Sequence, residues 1–557
     1  MSTIEATVRV HADRRTPLRR IWRFVGYDEP NYTYTRRGAE LLGKLGSLCD
    51  APYFIRCHFM LATGDGTGSP KWGSTNVYTL DDEGNPRYSF EIIDRILDAQ
   101  IDSGCVPFVE IGFMPQALST APPEVPYEAI RDAGWAYPPS DYSRWADLIR
   151  ELARHVLARY GLREVSRWYW ELWNEPDIFY WAGTADEYCR LYDYTEGALH
   201  SVLPQAKLGG PSVTGPGDPK AATFLERFLE HCVRGENAVT GATGTRLDLV
   251  TFHAKGGGYG GDPNASKKTP TMGALVGHVE AGLRVLARFP ELAGVEVNLS
   301  ECDPDGWAAG GRHDNPNLAF RNTEYYASYL ARAVCELVDA GAGGAAGATG
   351  GEAGGADGPN RVDGMLTWAF QFEDGGYFEG RRCLSTNGVD KPVLNVFRLL
   401  AMLGGARLEA DVAGAESGDA RVEANATRTG AGDADGGAPT VLAAADGSGA
   451  VQILLVRHVD DWDDHRDGTV RVTIAGLVPG RAYRVSERRV DAVNANAYAS
   501  WVAMGSPQDP SADERRRLEE AAALEPVDRS SATADEHGAL TVPVELATHA
   551  ICLLTLA

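Results

Sequence analysis

The sequence predicts an α/β protein, a closed (β/α)8 TIM barrel followed by a β-sandwich accessory domain. From about Leu18 to Leu403, apolar runs of strand length alternate eight times with segments whose apolar residues recur every three or four positions. Eight strand–helix units favour a closed barrel over an open doubly wound sheet. Towards the C-terminus, short strand patterns separated by Gly and Asp turns return without that alternation, which is typical of a sandwich.

The elements of the barrel can be placed in chain order. The eight predicted strands are Ile21–Val25, Tyr53–His58, Val106–Phe113, Trp168–Trp173, Lys207–Gly210, Leu247–His253, Val295–Ser300 and Val362–Phe370. The helical patterns between them include Thr35–Cys49, Phe90–Ser103, Ser143–Tyr160, Ala185–Leu203 and Thr323–Ala340. No Gly-x-Gly-x-x-Gly motif opens a helix after the first strand, which argues against a nucleotide-binding sheet.

Two low-complexity segments interrupt the pattern. Gly341–Gly358 is almost all Gly and Ala and is typical of a flexible loop inserted before the last barrel strand, and Ala413–Pro439 is typical of long surface loops. We expect Thr7–His11 to pair with the accessory sheet, because the barrel is already complete without it. The predicted sandwich strands are Gln452–His458, Thr469–Ala475, Ala482–Val485, Leu540–Leu546 and Ala550–Leu556, with one helix at Pro510–Leu524.

These elements divide the chain into two predicted domains. The barrel occupies residues 16–404, and the sandwich occupies residues 405–557 and is joined by an N-terminal strand within residues 1–15.

Composition excludes several classes of function. A net charge of -24 argues against nucleic-acid and anionic-membrane partners, which require basic patches. Met1–Arg20 contains no apolar stretch of signal-peptide type, and no run is long enough to span a bilayer. The nine cysteines are scattered without a C-x-x-C pair, and H-E-x-x-H is absent. We therefore expect a cytoplasmic protein with a small oligosaccharide substrate, no metal and no cofactor; its oligomeric state stays open and includes a homo-oligomer.

One octapeptide carries the clearest chemical signal. Trp170–Asp177 reads WELWNEPD, an apolar strand that runs into Asn174, Glu175 and Pro176. Because Pro176 has no backbone N–H to extend a ladder, the strand must end there. Asn174 and Glu175 therefore lie at the carboxyl end of a strand, where barrel enzymes keep their chemistry. A carboxyl group beside an amide suits work on a sugar hydroxyl and a glycosidic oxygen, whereas Glu171, within the strand, is expected to make a structural hydrogen bond.

A second carboxylate ends another strand. Val295–Glu301 is an apolar run closed by Glu301, and Cys302–Pro304 supplies the next strand stop. By strand count Glu175 closes the fourth strand and Glu301 the seventh, so both face the barrel mouth. Retaining glycosidases need two carboxyl groups ~5–5.5 Å apart, one to protonate the leaving oxygen and one to attack the anomeric carbon. The pair predicts that reaction.

Further short motifs accompany the Asn-Glu-Pro segment along the chain: Gly26–Tyr32 (GYDEPNY), Arg56–His58 (RCH), Ile111–Pro115 (IGFMP), Phe252–Gly256 (FHAKG), Ser300–Pro304 (SECDP), Trp368–Phe370 (WAF), Lys391–Phe397 (KPVLNVF) and Trp501–Pro507 (WVAMGSP). With these motifs, the sequence resembles glycoside hydrolase family 39 over nearly its whole length. The members of that family are retaining (β/α)8 enzymes with the acid/base and the nucleophile on strands four and seven.

The resemblance implies roles for individual residues. Glu175 would be the general acid/base and Glu301 the nucleophile. The main activity of the family is β-xylosidase, which implies release of terminal β-1,4-linked xylose from xylo-oligosaccharides. A smaller branch comprises α-L-iduronidases, and here Lys255 resembles their lysine that contacts the uronic carboxylate, while Glu301–Trp307 resembles their nucleophile loop. Lys255 does not decide between the branches, because His-x-Lys-Gly also occurs in bacterial xylosidase-like members.

Several further residues are expected to bind the sugar. Asn174 is expected to donate to the 2-hydroxyl or to the nucleophile. His58 and His253 end strands two and six and are expected to bind hydroxyls, with a role as buried core histidines as the alternative. Trp368, at the end of strand eight, is expected to form the apolar floor under the ring or to be part of the core.

The rim and the end of strand eight are less clearly specified. Phe113, Trp72 and Trp307 are expected to line the rim, although single aromatic residues more often serve packing. Trp368–Asp374 reads WAFQFED where the better-known xylosidases carry Phe-Glu-Glu. We expect Glu373 to take the sugar-binding role of that motif, with Asp374 as the alternative.

The two carboxylates are expected to titrate as a pair. Ionised Glu301 should raise the pKa of Glu175 and keep it protonated in the free enzyme. Three rival functions stay open: another exo-glycosidase of this fold acting on an iduronide, glucoside or arabinoside, a non-catalytic carbohydrate-binding relative, and a polymer-cutting enzyme with an open cleft.

Overall fold

The computed structural model of the protein describes residues 4–48, 51–257, 269–338, 340, 361–373, 375–414 and 437–557. The predicted loop at Gly341–Gly358 and most of Ala413–Pro439 lie outside the described residues.

The described strands are, in chain order, β1 (Ile4–Pro17), β2 (Phe24–Tyr27), β3 (Phe54–Cys57), β4 (Tyr78–Leu80), β5 (Pro86–Tyr88), β6 (Val106–Ile111), β7 (Tyr169–Leu172), β8 (Lys207–Val213), β9 (Leu249–Lys255), β10 (Glu296–Asp303), β11 (Gly364–Trp368), β12 (Ser385–Thr386), β13 (Val389–Asp390), β14 (Ala406–Gly414), β15 (Thr440–Ala445), β16 (Val451–Val456), β17 (Gly468–Ala475), β18 (Ala482–Tyr483), β19 (Val485–Val490), β20 (Val527–Asp528), β21 (Ala532–Thr533), β22 (Leu540–Glu545) and β23 (Ile551–Leu556).

The described α-helices are α1 (Arg36–Gly46), α2 (Glu91–Asp102), α3 (Tyr142–Tyr160), α4 (Leu162–Val165), α5 (Ala185–His200), α6 (Pro219–Arg234), α7 (Met272–Leu286), α8 (Glu324–Leu337), α9 (Pro392–Ala401), α10 (Ala497–Ala503) and α11 (Ala512–Ala522). Short 3-10 helices lie at Pro30–Tyr32, Gln116–Leu118, Gly134–Ala136, Pro290–Leu292 and Pro316–Asn322. Within the described residues, no helix is long and apolar enough to cross a membrane.

Eight parallel strands form a closed barrel, which confirms the predicted fold class. Their order around the barrel is β10-β11-β2-β3-β6-β7-β8-β9, so β2 is the first barrel strand, β7 the fourth and β10 the seventh. All four residues of β7 are buried, as expected for a parallel strand covered on both faces. The connecting helices bury one apolar face against the barrel; in α5 this face includes Leu191 and Leu199. The same helix begins with a capping box between Thr184 and Glu187.

The accessory domain is built on a nine-stranded sheet with the order β20-β19-β23-β16-β15-β14-β1-β17-β22. β1 lies inside this sheet, antiparallel to β14 and parallel to β17. β16 is buried on both faces: Ile453 and Leu455 join the core of the accessory domain, whereas Leu454 and Val456 join the core that includes the barrel helices. The sheet therefore packs directly on the barrel.

Element boundaries differ from the prediction at a few positions. The first barrel strand begins at Phe24 instead of Ile21. The single strand predicted at Ala482–Val485 is divided, because Tyr483 pairs with Ala532 while Val485 pairs with Leu556 in the large sheet. The eight cysteines in the described part of the chain carry free thiols.

Candidate active site

Glu175 and Glu301 come together at the carboxyl end of the barrel. Glu175 follows the end of β7 at Leu172, and its backbone, like that of Trp173, adopts the left-handed conformation (φ 45° and 68°). The Glu175 N–H donates to Ser212 O at 2.9 Å, which fixes this turn against β8. A carboxylate oxygen of Glu175, one of Glu301 and a ring nitrogen of His253 all lie within 4.8 Å of one another. This spacing suits a retaining mechanism, in which the two carboxyl groups lie ~5–5.5 Å apart.

Irregularities in two barrel strands place the residues beneath this pair. The register of β8 shifts between Pro211 and Val213, and that of β10 shifts between Leu299 and Glu301. Bulges next to active sites commonly redirect a side chain. Here the shifts leave Ser212 and Ser300 facing each other, with their hydroxyl oxygens 3.1 Å apart. Glu301 lies opposite His253, two residues before β10 ends.

Positive charge surrounds Glu301. Lys255 Nζ lies 2.7 Å from Glu301 Oε2, and His58 Nε2 lies 3.6 Å from Oε1. Burial favours a higher pKa for Glu301, but the charge of Lys255, then that of His253 and the hydrogen bond and charge of His58, lower this pKa well below its usual value. Glu301 is therefore ionised and able to act as a nucleophile.

His253 contacts both Glu175 and Ser212 through its two ring nitrogens. Its Nδ1 lies 3.1 Å from Glu175 Oε1, and its Nε2 lies 2.9 Å from Ser212 Oγ. Arg56 Nη2 also donates to Ser212 Oγ, at 3.1 Å. The imidazole of His253 is fully buried, so these contacts hold its ring in one orientation beside Glu175.

Asn174 offers an unused donor to the site. Its Oδ1 accepts a hydrogen bond from Arg56 Nη2 at 3.0 Å. Its buried Nδ2 has no hydrogen-bond partner among the described residues. Because an unpaired buried donor is costly, this N–H group is well suited to a ligand hydroxyl.

Trp368 and His58 line the site on the side of strands eight, one and two. The Trp368 side chain is 2% exposed, its ring centroid lies 4.2 Å from that of His58, and its backbone N–H donates to Asp303 Oδ1 at 2.9 Å. His58 Nδ1 lies 2.9 Å from Asp28 Oδ1. Burial favours a lower pKa for His58, but Glu110, Asp28 and Glu301 raise it to about 9. His58 is therefore a cation at neutral pH.

A layer of buried charges supports the site from inside the barrel. Arg56 Nε donates to Glu171 Oε2 at 2.6 Å, which is the structural role expected of Glu171. Arg56 Nη2 lies 2.9 Å from Glu110 Oε2, and His58 Nε2 lies 3.3 Å from the same oxygen. Burial raises the pKa of Glu110 to about 7, against the lowering effect of His58 and Arg56. Arg56 and His58 are thus fixed beneath Glu301.

Lys255 is already engaged by carboxylates. Besides Glu301, its Nζ lies 2.6 Å from Asp303 Oδ2. The oxygen and nitrogen atoms of Glu175, His253 and Glu301 also have the spacing of a metal site. However, the ammonium of Lys255 already lies 2.7 Å from the Glu301 carboxylate and opposes a further cation there. These residues therefore suit proton transfer and nucleophilic attack at a sugar carbon better than metal binding.

Two further predicted residues, Phe113 and Trp307, make packing and backbone contacts. Phe113 is fully buried and packs against the rings of Trp135 and Tyr180. Trp307 is half-buried, and its carbonyl oxygen accepts a hydrogen bond from Arg321. The contacts of Phe113 indicate a packing role, and the rim position expected of Trp307 stays a prediction.

Glu373 lies in the loop after β11. Its Oε1 accepts hydrogen bonds from Gln371 Nε2, at 2.6 Å, and from Thr35 Oγ1. Asp374 lies outside the described residues. The sugar-binding role expected of Glu373 or Asp374 stays a prediction.

Four residues of the site were not identified from sequence patterns: Asp28, Glu29, Lys71 and Tyr180. Asp28 and Glu29 directly follow β2, and both are 2% exposed. Burial, and then the neighbouring charge of Asp28, raise the pKa of Glu29 to about 8. A signal for the first pair was present, because Asp28 and Glu29 stand between a strand and Pro30, as Asn174 and Glu175 do before Pro176.

Comparisons with known proteins identify the family and the fold of this chain. A model of the family described as glycosyl hydrolases family 39 matches residues 8–541. A β-xylosidase of Caldicellulosiruptor saccharolyticus is 24% identical over 440 residues, which are 78% of this chain and 76% of that protein. An α-L-iduronidase of Homo sapiens is 25% identical over an alignment of 567 positions, gaps included, that covers 97% of this chain and 77% of that protein. The solved structure of a monomeric β-xylosidase from Caulobacter crescentus CB15 shares the fold, with a TM-score of 0.73, 21% identity and 99% of both chains covered.

Proposed function

Because this chain belongs to glycosyl hydrolase family 39, we propose that it is a retaining exo-glycosidase that releases terminal β-1,4-linked xylose from xylo-oligosaccharides. Family membership makes the chain a glycoside hydrolase. The observation that carries the retaining mechanism is the closeness of the Glu175 and Glu301 oxygens, within 4.8 Å, together with the strongly lowered pKa of Glu301.

In the first half of the proposed reaction, Glu175 and Glu301 act together. The protonated carboxyl of Glu175 gives its proton to the glycosidic oxygen, and the bond from that oxygen to the anomeric carbon breaks. Glu301 forms a new bond to the same carbon, which gives a covalent glycosyl-enzyme. His253, 3.1 Å from Glu175 Oε1, holds the acid in place.

In the second half, water replaces the leaving group. Esterified Glu301 no longer carries a negative charge, so Glu175, now a carboxylate, is well placed to accept a proton from water. The water oxygen bonds to the anomeric carbon, the bond to Glu301 breaks, and both carboxyl groups return to their starting states. Asn174 Nδ2 supplies a donor for the 2-hydroxyl in both transition states.

The engagement of Lys255 supports a neutral sugar. A uronide would need a cationic partner for its carboxylate, but Lys255 Nζ already lies 2.7 Å from Glu301 and 2.6 Å from Asp303. The similarity to a β-xylosidase over 78% of the chain supports the same choice. The alternative is an α-L-iduronidase-like enzyme, supported by the iduronidase relative that spans 97% of the chain; in that case Lys255 would turn from these carboxylates to the substrate.

Initial rates on a panel of chromogenic glycosides test the substrate. The panel contains a β-xyloside, a β-glucoside, an α-arabinoside and an α-iduronide, and the Glu301→Gln variant serves as the inactive control. We expect the β-xyloside to be cleaved fastest. Preference for the iduronide would overturn the xylosidase proposal and favour the uronide alternative.

A further inference from the structure

A second half-buried lysine, Lys71, lies across the barrel mouth from Lys255. Lys71 belongs to the loop after β3, the second barrel strand, whereas Lys255 ends the sixth. Lys71 Nζ donates to Tyr180 OH at 2.8 Å and to Asp28 Oδ1 at 3.4 Å, and its side chain is 17% exposed. Burial favours a lower pKa for Lys71, but Asp28, then Tyr180 and Glu175, raise it well above its usual value. Lys71 therefore presents a permanent positive charge.

The backbone of Lys71 is held in an unusual conformation. Its φ of 64° lies in the left-handed region, which a residue with a side chain adopts at some cost in free energy. The Lys71 N–H donates to Glu29 Oε1 at 2.6 Å. Such conformations persist where surrounding contacts enforce them, often at ligand-binding positions. The fold thus maintains the position of this ammonium group against local strain.

Asp28 connects Lys71 to the floor of the site. Asp28 Oδ1 also lies 2.9 Å from His58 Nδ1, and its Oδ2 lies 3.4 Å from Trp368 Nε1. The Asp28 side chain is 3% exposed, and its pKa is lowered by Lys71 and His58 against the raising effect of burial. Asp28 and Lys71 therefore form a charged wall beside Trp368.

The catalytic side of the pocket leaves one direction for the sugar ring. On the side of strand six, His253 lies 3.1 Å from Glu175, and Lys255 lies 2.7 Å from Glu301. Because His253 and Lys255 occupy that side, a ring whose anomeric carbon lies at Glu301 would extend over Trp368, towards strands eight, one and two. The hydroxyls furthest from the anomeric carbon then meet Asp28 and Lys71.

The hydrogen-bonding capacity of this wall fits two neighbouring hydroxyls. An ammonium group has three N–H donors, and the contacts to Tyr180 and Asp28 account for two of those of Lys71. An ionised carboxylate offers about four acceptor positions, and Asp28 uses only part of them in its contacts with His58, Lys71 and Trp368. One donor and at least one acceptor are available side by side.

We propose that Lys71 and Asp28 bind the 3- and 4-hydroxyls of the terminal sugar and determine which sugar the pocket accepts. The proposal deepens the exo-glycosidase function and rests on it. In a β-1,4-linked chain, the 4-hydroxyl is the attachment point of a preceding sugar. A charged wall at that hydroxyl stops the chain there, so Lys71 and Asp28 also account for attack at the chain end.

A coupling experiment between enzyme and substrate tests this assignment. Wild type and Lys71→Met are compared on an aryl β-xyloside and on its 3-deoxy and 4-deoxy analogues. On the parent xyloside we expect kcat/KM to fall about 10- to 100-fold in Lys71→Met, the range for a hydrogen bond from a charged donor. On the deoxy analogue that lacks the partner hydroxyl, the substitution should cost less than about 3-fold, because the interaction is already missing.

The control is Lys44→Met. Lys44 lies in α1, away from the catalytic carboxylates, and its Nζ is 2.5 Å from Asp390 Oδ1, so it also forms a lysine–aspartate pair. Circular dichroism establishes that each variant is folded, and Lys71→Gln replaces Lys71→Met if the latter does not fold. An equal loss on the parent and both deoxy analogues, or no loss on the parent, would overturn the role of Lys71. A different result contradicts the proposed function itself: wild type cleaves another parent glycoside faster than the xyloside. In that case wild type and Lys71→Met are compared on that glycoside and on its 3-deoxy and 4-deoxy analogues.

Discussion

Replacing Lys255 by methionine should raise the pKa of Glu301, the proposed nucleophile, and the pH dependence of the rate can measure this change. Among the charges that lower the pKa of Glu301, that of Lys255 has the largest effect, and burial acts in the opposite direction. Glu301 must be ionised to attack, so the rate falls as the pH drops through its pKa. Without Lys255 this pKa rises, and the acid limb of the profile moves to higher pH.

The size of the shift follows from the contact distance. At the 2.7 Å between Lys255 Nζ and Glu301 Oε2, Coulomb's law gives about 1.5 kcal/mol even with the dielectric constant of water, and more in a buried site. About 1.4 kcal/mol corresponds to one pKa unit. The acid limb should therefore rise by at least about one pH unit. Loss of the ammonium also leaves Glu301 and Asp303 as neighbouring buried carboxylates, which acts in the same direction.

The assay is the pH dependence of kcat/KM on an activated aryl β-xyloside, measured for wild type and Lys255→Met. Lys207→Met is the matched control, because Lys207 Nζ also lies 2.7 Å from a glutamate oxygen, that of Glu296, but at the amino ends of β8 and β10. An acid limb that does not move in folded Lys255→Met would refute the reasoning. Equal movement in the Lys207 control would refute it as well.

Three further outcomes are expected. Glu175→Ala should slow glycosides with poor leaving groups at least about 100-fold more than activated aryl glycosides, because only the former need a proton donor; equal losses in leaving-group kinetics would contradict the acid assignment. Glu301→Gln should abolish covalent labelling by a 2-fluoro xyloside in intact-protein mass spectrometry, and a persisting adduct would argue against Glu301. The stabilising charge of His58, whose pKa is raised from 6.5 to about 9, is fully present below pH 6.5 and lost as the pH rises through 9. The free energy of unfolding should therefore fall by up to about 3 kcal/mol over that interval and fall less in His58→Gln, and parallel pH dependences of denaturant unfolding would count against this role.

The barrel and the closeness of Glu175 to Glu301 could be predicted because each depends on a local signal. Apolar runs of strand length are read directly from the chain, and Pro176 ends a strand at a known position. Glu175 and Glu301 thereby fall on strands four and seven without any knowledge of contacts, and the structure brings their oxygens within 4.8 Å. The strand ends also led to His58 and His253, which the structure places beside the same carboxylates.

The charged wall could not be predicted in the same way. Lys71 lies in an irregular loop, and its partners Asp28 and Tyr180 are distant in sequence. No periodicity links three loops that meet only because the barrel closes. The environment of Lys255 shows a second limit: its segment indicated a lysine in the site, but only the register of β9 against β10 places it between Glu301 and Asp303.

The position of β1 has a consequence for how the protein is made. β1 is synthesised early, yet its two neighbours, β14 and β17, begin at residues 406 and 468. At translation rates of about 5 to 20 residues per second, roughly 20 to 80 s pass before the first neighbour leaves the ribosome. During this time the barrel sequence is completed, while β1, with its apolar residues Val8 and Val10, has no sheet partner. Until its partners are made, β1 is therefore a site for aggregation and chaperone binding, and the accessory sheet can assemble around it only after β14 and β17 have left the ribosome.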